Sequence, residues 1–356
     1  MKIISDFEKQ ISILGILFFL CLCFFSFIQT TQGSQPVNSD EPSVGPYERS
    51  EIDLAAIPYK IIFETYRETE GKENWELFLV NADGSNLTNL TRTPEVDELS
   101  PHVSPDGTKI CFVLDEGTNR RDKVRSVYYM NIDGTGRVKV VENGRQPCWG
   151  PDSKTIAYLK GEYERYTTDS IGTKGLFFYD IKSGEHRQHP NKDLLHLYNI
   201  CWSMDGNWFV AVVTGGMGFD HNIIAFEADG TRVFDLKKYG IDGCRPDLSP
   251  DCRTIGWGEI SEVDVYVADI DLTLSVPRVA NIHGVAKCNP GNNTNHTDFS
   301  PDGRYVAFGY GPEVNYSVGE KAPGWNICVG DMTGKWVQVT TDGKHNKEPD
   351  WIPIGK

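Results

Sequence analysis

Apolar and polar residues alternate in short runs along most of the chain, and turn residues separate the runs. Five of the clearest runs are TKICFV (108–113), KTIAYL (154–159), NWFVAVV (207–213), RTIGWG (253–258) and RYVAFG (304–309). A period of two, with Gly, Pro and Asp between the runs, is typical of short β-strands joined by tight turns. The pattern therefore predicts an all-β fold.

Each run follows a similar turn, which reads Ser-Pro-Asp-Gly in its fullest form at 104–107 and 300–303. Pro fixes φ at the first corner, Asp hydrogen-bonds the backbone ahead of it, and Gly adopts the left-handed conformation that closes the hairpin. Successive turns are 46 to 53 residues apart, which is the period of a propeller blade. The residues at the proline position are Pro105, Pro151, Met204, Pro250, Pro301 and Pro353.

Each period also contains the strand before the turn, a further apolar run such as SVYYMNI (126–132) and a weaker last run. Together with the run after the turn, these make four antiparallel strands, which form a blade. The ends of the repeat region are incomplete in complementary ways. Residues 59–66 read as a second strand without a first, and residues 348–353 read as a first strand with no second. We therefore expect a six-bladed β-propeller whose C-terminal strand joins the N-terminal blade and closes the ring.

The repeated turn and the strand after it resemble the Pro-Asp repeat of the TolB-like propeller family. The resemblance covers residues 59–353. It implies a periplasmic protein with a propeller fold. Only a linker at 34–57 precedes the blades, so the resemblance does not extend to the N-terminal α/β domain of TolB.

The N-terminus has the pattern of an export signal. Lys2 and Lys9 precede the uncharged apolar run at 11–28, and small residues follow near position 33. We expect a signal peptide or an N-terminal membrane anchor at 1–33, a linker at 34–57 and the propeller at 58–356. The run at 11–28 is long enough that membrane anchoring stays open, so the protein is expected to be periplasmic or secreted.

Composition excludes some functions and leaves others open. A net charge of −15 argues against nucleic acid as a partner, because phosphate binding needs clustered Lys and Arg. The chain has neither the Gly-x-Ser-x-Gly motif of serine hydrolases nor a phosphate-binding loop with its lysine. Cys244 and Cys288 are expected in neighbouring loops on one face, where an exported protein could join them in a disulfide.

Equivalent positions in the six first strands show which side chains face the channel. Two residues before the turn proline, every blade carries an apolar residue, and we expect these to pack between blades. Five residues before it, every blade carries a polar residue, and the innermost strand is expected to start at the face with the ligand-side loops. We call this set the mouth ring; it contains Ser100, Gln146, Asn199, Arg245, His296 and Glu348.

The mouth ring is the candidate ligand site, with hydrogen bonding between blades as the alternative explanation. Arg245 offers a bidentate fork for a carboxylate, and His296 offers a hydrogen-bonding or proton-carrying group. Asp298 and His102 belong to the set three residues before the proline, one step deeper. We call this deeper set the inner belt; it contains His102, Cys148, Cys201, Asp247, Asp298 and Asp350.

An alternative hypothesis is that the same face binds a divalent metal ion. His102, His296, Asp298 and His345 would supply mixed nitrogen and oxygen ligands if they converged. Propellers with this turn and with metal-holding histidines resemble the oligogalacturonate lyases, although only the repeat matches. The metal reading therefore implies a carbohydrate-active enzyme, such as a polysaccharide lyase, with a His or Tyr base at the channel mouth.

The sequence favours a binding or scaffold module over that enzyme. We expect an envelope protein or a glycan to bind at the loop-rich propeller face. The longer loops on this face are expected at 115–125, 161–175, 283–296 and 311–325.

Overall fold

The computed structural model describes residues 52–117, 123–162, 172–259, 261, 263–314 and 320–353. Within these ranges the chain forms 24 β-strands and two 3₁₀-helices, at Leu54–Ala56 and Leu236–Tyr239. No helix in this part of the chain is long and apolar enough to cross a membrane. The export segment expected at 11–28 lies outside the described residues.

The strands form six antiparallel sheets of four, which are the blades of a propeller. Blade 1 contains β1 (Lys60–Thr69), β2 (Lys72–Asn81) and β3 (Thr88–Asn89), together with the last strand, β24 (Lys347–Ile352). Blade 2 contains β4 (Asp97–Val103), β5 (Lys109–Glu116), β6 (Val124–Asn131) and β7 (Val138–Glu142). Blade 3 contains β8 (Gly144–Trp149), β9 (Thr155–Gly161), β10 (Thr173–Asp180) and β11 (His186–Gln188).

The other three blades repeat this order along the chain. Blade 4 contains β12 (Leu197–Trp202), β13 (Trp208–Gly216), β14 (Phe219–Glu227) and β15 (Val233–Asp235). Blade 5 contains β16 (Gly243–Leu248), β17 (Thr254–Glu259), β18 (Val265–Asp271) and β19 (Arg278–Ala286). Blade 6 contains β20 (Asn292–Phe299), β21 (Tyr305–Pro312), β22 (Asn326–Asp331) and β23 (Trp336–Gln338). The first strands β4, β8, β12, β16, β20 and β24 contact one another in a closed ring around the channel.

The ring closes as the sequence predicts. The C-terminal β24 pairs with β1, and Trp351 lies opposite Ile61 in the register. Trp351 is 2% exposed, and its ring meets the edge of Tyr59 at a centroid distance of 6.2 Å. Closure therefore buries a large aromatic side chain as well as the sheet edges that would otherwise be open to pairing.

The repeated turn is held by its own side chains. In blade 2 the Ser104 hydroxyl donates to the Asp106 carboxylate at 2.6 Å, and the Lys109 amide donates to Ser104 Oγ at 2.9 Å. Gly107 has φ +71°, and a Cβ there would lie 2.8 Å from the backbone oxygen of Pro353. This position therefore requires glycine both for its conformation and for the close approach of the neighbouring blade.

The core lies mainly between blades, as the apolar position two residues before the turn proline predicts. Leu248 packs with blade 4 and blade 5 residues, and Phe299 packs between blades 5 and 6. The end of the expected linker also takes part: Ile57 is buried, and Ile52 and Leu54 pack against the same cluster as Trp351. At least residues 52–57 are thus packed on the propeller.

One expected loop is shorter than the sequence suggested. The connection between blades 5 and 6 was expected at 283–296, but β19 continues to Ala286 and β20 begins at Asn292. The outer strand of blade 5 is therefore nine residues long, whereas the outer strands of the other blades have two to five. Parts of the other three expected loops lie outside the described residues.

Candidate functional site

A β-bulge in every first strand positions the mouth ring. The register with the second strand shifts there, for example between Leu99 and His102 in blade 2 and between Asn295 and Thr297 in blade 6. All six mouth-ring residues have positive φ, between 42° and 59°. None of them is glycine, so each adopts a conformation that is costly for an L-residue and that persists only where the surroundings enforce it.

The structure brings most of the predicted site residues together at one end of the channel. They border a small cavity of about 40 Å³. Its wall contains five members of the mouth ring and one of the inner belt: Ser100, Gln146, Asn199, His296, Glu348 and His102. Arg245, the remaining mouth-ring residue, reaches this group through Glu348.

Three mouth-ring residues form a charged cluster. The Arg245 guanidinium donates to Glu348 Oε1 at 2.9 Å, and His296 Nδ1 lies 3.1 Å from Glu348 Oε2. Arg245 is 8% exposed and Glu348 is 6% exposed. Burial alone would raise the pKa of Glu348, but Arg245 and His296 hold it well below its usual range. The carboxylate that the Arg245 fork was expected to bind in a ligand is therefore supplied, in this structure, by Glu348.

The other three mouth-ring residues, Ser100, Gln146 and Asn199, are uncharged and form the neutral side of the ring. Their contacts are hydrogen bonds and not ion pairs. The Asn199 amide donates to Gln146 Oε1 at 2.9 Å, which joins blades 3 and 4. The Ser100 amide donates to Glu64 Oε2 at 2.8 Å. Ser100 Oγ and Asn199 Oδ1 have no hydrogen-bond partner among the described residues. Both oxygen atoms are buried, so only a donor inside the mouth cavity that Ser100 and Asn199 border would reach them.

The inner belt joins neighbouring blades. In four places its side chain accepts the backbone amide that lies two residues before the turn proline of the following blade. Phe299 donates to Asp247 at 2.7 Å, Trp351 donates to Asp298 at 3.1 Å, and Val103 donates to Asp350 at 3.1 Å. The fourth hydrogen bond runs from the Trp149 amide to His102 at 3.3 Å. At the other two places the amides of Trp202 and Leu248 influence the pKa of the Cys148 and Cys201 thiols. Asp298 and His102 therefore have a structural role between blades, which was the alternative explanation for this face.

Burial dominates the electrostatics of the inner belt. It raises the pKa of Asp298 and Asp350 well above the usual range, and Asp247 raises both further by repulsion. Burial also raises the pKa of Asp247. For His102, burial and the nearby His296 lower the pKa to about 4. The charged forms of these groups are thus disfavoured in the channel.

The residues expected to hold a metal ion do not all converge. His345 stacks edge-on against Tyr66 at 5.5 Å and against Trp75 at 6.2 Å, beside the hairpin of β1 and β2. It is absent from the wall of the mouth cavity, where His102 and His296 lie. Among the described residues, no group of three or more His, Cys, Asp or Glu side chains is arranged to hold a metal ion.

The expected disulfide is also not formed. The seven cysteines of the described residues form no disulfide with one another. Cys244 lies 3.0 Å from His221 Nε2, whose Nδ1 lies 3.0 Å from the Thr214 hydroxyl. Cys288 instead packs in the cluster between blades 5 and 6. The prediction of a Cys244–Cys288 bridge is therefore wrong, because the two thiols belong to different inter-blade contacts.

Sequence reasoning missed two buried groups beside the mouth. Glu64 and Lys347 are almost fully buried, with 3.5 Å between Glu64 Oε1 and Lys347 Nζ, and Lys347 lies over the ring of Trp75 at 4.6 Å. Lys347 directly precedes Glu348 of the mouth ring in the sequence, and this position next to a candidate residue could have selected it. Glu64 lies outside the first strands, where aligning the repeats gives no reason to select it.

Comparison with known proteins identifies the fold. No protein-family model matches the sequence, and no curated protein is significantly similar to it. TolB from Acinetobacter baumannii is 16% identical, with a TM-score of 0.57 over 83% of this chain and 67% of that chain. A TolB-type protein from Agrobacterium tumefaciens is 16% identical, with a TM-score of 0.55 over 83% of this chain and 98% of that one. Hydrazine synthase from Kuenenia stuttgartiensis is 13% identical, with a TM-score of 0.60 over 83% of this chain and 47% of that one.

These similarities confirm the TolB-like propeller that the repeated turn predicts. At such low identity they concern the fold alone, and one fold serves many functions. The function must therefore be argued from the channel mouth itself.

Proposed function

We propose that the chain is an exported binding module whose mouth ring engages a protein partner at the cell envelope. The observation that carries this proposal is the polar mouth ring, five of whose six members border one cavity at the channel mouth. All six residues are held in the left-handed region by the surrounding blades. Polar groups held rigidly around one opening are well suited to bind an external partner.

The size of the mouth favours a macromolecule over a small substrate. A cavity of about 40 Å³ has room for about one to three water molecules and not for a sugar ring. A partner would therefore lie across the mouth and contact the mouth ring, instead of inserting into the channel. For the same reason we do not carry the lyase forward as a second candidate.

Export is part of the proposal and depends on the apolar run at 11–28 behind Lys2 and Lys9. The net charge of −15 supports a partner with a basic surface. The similarity to TolB structures supports the propeller architecture on which the mouth ring is built.

The test is affinity capture with the full chain and two matched variants. Asn199→Arg adds a bulky cation at the mouth, whereas Thr231→Arg makes the same change at an exposed turn on the opposite face. We expect a protein from an envelope fraction to be captured by the parent and by Thr231→Arg, and to be lost with Asn199→Arg. Equal capture by all three proteins would contradict a site at the mouth.

A glycan array run on the same three proteins separates the two kinds of ligand. Glycan binding that Asn199→Arg abolishes and Thr231→Arg preserves would replace the protein partner with a glycan. N-terminal sequencing of the mature protein tests export separately: a start near residue 34 supports cleavage of the segment at 1–33.

A further inference from the structure

A second cavity, of about 760 Å³, lies on the face opposite the mouth, between blades 4 and 5. It is lined by the turns that join β16 to β17 and β18 to β19, and by the blade 4 turn at 203–205. Trp208, Leu248 and Leu272 supply apolar walls and are themselves at most 6% exposed. The volume is in the range of small-ligand and peptide pockets.

The long outer strand of blade 5 borders this cavity. Arg278 and Ala280 of β19 lie in its wall. β19 is an end strand of its sheet, with β18 as its neighbour, and every residue from 280 to 284 is exposed. Two register shifts interrupt the pairing of β19 with β18, and His283 Nε2 lies 3.2 Å from the Met332 carbonyl oxygen of blade 6. An exposed edge of this length offers unpaired backbone groups to an added strand, which is why most proteins keep outer strands short.

The surroundings of the edge are both apolar and acidic. Leu274, Val276 and Ile282 are 43%, 55% and 43% exposed. Four carboxylates and two guanidinium groups line the cavity: Asp205, Asp251, Asp269, Asp271, Arg253 and Arg278. Hydrogen bonds from Thr273 lower the pKa of Asp271, which keeps this carboxylate ionised. The excess of negative charge suits a cationic side chain.

The equivalent turns of blade 6, which follow its first and third strands, show how such a cavity is used. These turns border a cavity of about 460 Å³, and the chain's own Ile52 and Asp53 form part of its wall. Ile52 packs on the cluster beneath, together with Leu54 and Ile57. The turns of a blade in this protein can therefore seat a stretch of chain that is not part of that blade.

We propose that the β19 edge and the adjoining cavity form a second binding site, independent of the mouth ring. Its ligand is an extended segment of a partner protein that pairs with β19 as an added strand. Apolar side chains of the segment cover Val276 and Ile282, and a lysine or arginine enters the cavity near Asp269 and Asp271. Main-chain pairing supplies affinity, and the acidic cavity supplies selectivity.

The test uses two acetylated heptapeptides that alternate valine and threonine and carry a central lysine or glutamate. Fluorescence anisotropy at low salt should give an affinity for the lysine peptide about tenfold higher than for the glutamate peptide. Asp269→Lys should remove this preference. Ala280→Trp places a bulky side chain in the cavity wall and should lower the affinity for the lysine peptide by about tenfold or more. Val138→Trp, at the 37% exposed start of the outer strand of blade 2, is the matched control and should leave binding unchanged.

Two further lysine peptides test strand addition directly. In an extended peptide, alternate backbone amides point to opposite sides, so only one set faces β19. Each test peptide is N-methylated on one of these two sets, and the peptide methylated on the set that faces β19 cannot donate to it. We expect one methylated peptide to lose binding and the other to retain it. Absence of lysine-peptide binding at millimolar concentration, equal binding by Ala280→Trp, or equal binding of both methylated peptides would overturn the proposal.

Discussion

The two halves of the channel share one backbone and differ in charge. Blades 5, 6 and 1 contribute Arg245, His296 and Glu348 to the mouth ring and three aspartates to the inner belt. Blades 2, 3 and 4 contribute Ser100, Gln146 and Asn199 to the mouth ring, and a histidine and two cysteines to the inner belt. Both halves contain the same bulges, the same positive φ values and the same amide links between blades.

The comparison separates what the repeat determines from what a single blade determines. An aspartate and a histidine both accept the equivalent backbone amide, so the inter-blade link requires an acceptor and not a particular charge. Within the mouth ring, the contacts of Arg245 and His296 with Glu348 are specific to the charged half. The neutral half of the ring is joined by the hydrogen bond from the Asn199 amide to Gln146.

The largest difference between the halves is expected from breaking the charged cluster. Arg245→Ala leaves Glu348 buried without its guanidinium and should lower the free energy of unfolding by about 3–5 kcal/mol. Arg245→Met combined with Glu348→Gln removes both charges and should recover much of this loss. Denaturant unfolding of the three proteins measures both effects. A double variant as unstable as Arg245→Ala would show that the cluster is not held together by charge.

A smaller effect is expected in the inner belt, where two substitutions of one residue test the hydrogen-bond acceptor and the carboxyl group separately. Asp350→Ala leaves the Val103 amide unpaired and should cost about 1–3 kcal/mol. Asp350→Asn keeps an acceptor oxygen and removes the ionisable carboxyl group, so it should cost less than Asp350→Ala at neutral pH. If the two substitutions proved equally destabilising, the carboxyl group and not the hydrogen bond would be the important property.

The smallest effect is expected in the neutral half of the mouth ring. Gln146→Ala removes the acceptor for the Asn199 amide and should cost about 0.5–1.5 kcal/mol. Gln146→Glu restores an acceptor and serves as the rescue variant. A loss as large as that of Arg245→Ala would remove the distinction between the two halves.

The fold could be predicted because the turn repeats. Pro105 and Pro301 start equivalent hairpins, and their side-chain chemistry is local, so a sequence pattern is sufficient to place them. Closure by β24 followed from the two incomplete ends of the repeat region. The length of β19 could not be predicted in this way, since outer strands are exposed and carry little periodic signal.

The site could be predicted only in part. Aligning the repeats grouped the mouth ring as one set, and five of its six members border one cavity, because equivalent positions in a ring lie at equal depth. The partners within that set could not be assigned: the contact of Arg245 with Glu348 joins side chains 103 residues apart, and no repeat pattern encodes it. His345 was grouped with His102 by residue type alone, and the structure puts it beside Tyr66 and Trp75.

The central claim, that the halves differ in ionisation within a common backbone, has a direct test in the pH dependence of stability. Because the folded-state pKa values of Asp247, Asp298 and Asp350 are raised, the folded protein binds more protons than the unfolded chain above about pH 4. Their contribution to stability is therefore present at low pH and is lost as the pH rises through the folded-state values. Glu348 acts in the opposite sense, and its contribution is lost only as the pH falls below its usual pKa.

The measurement is the free energy of unfolding from pH 5 to pH 9 for the parent and for Asp247→Asn/Asp298→Asn/Asp350→Asn. The account predicts that the parent loses stability relative to the triple variant as the pH rises, by up to about 1.4 kcal/mol per pH unit for each excess proton. His102→Gln in the neutral half is the control, and it should leave the slope above pH 7 unchanged because the pKa of His102 is about 4. Superimposable pH profiles for the parent and the triple variant would contradict the account.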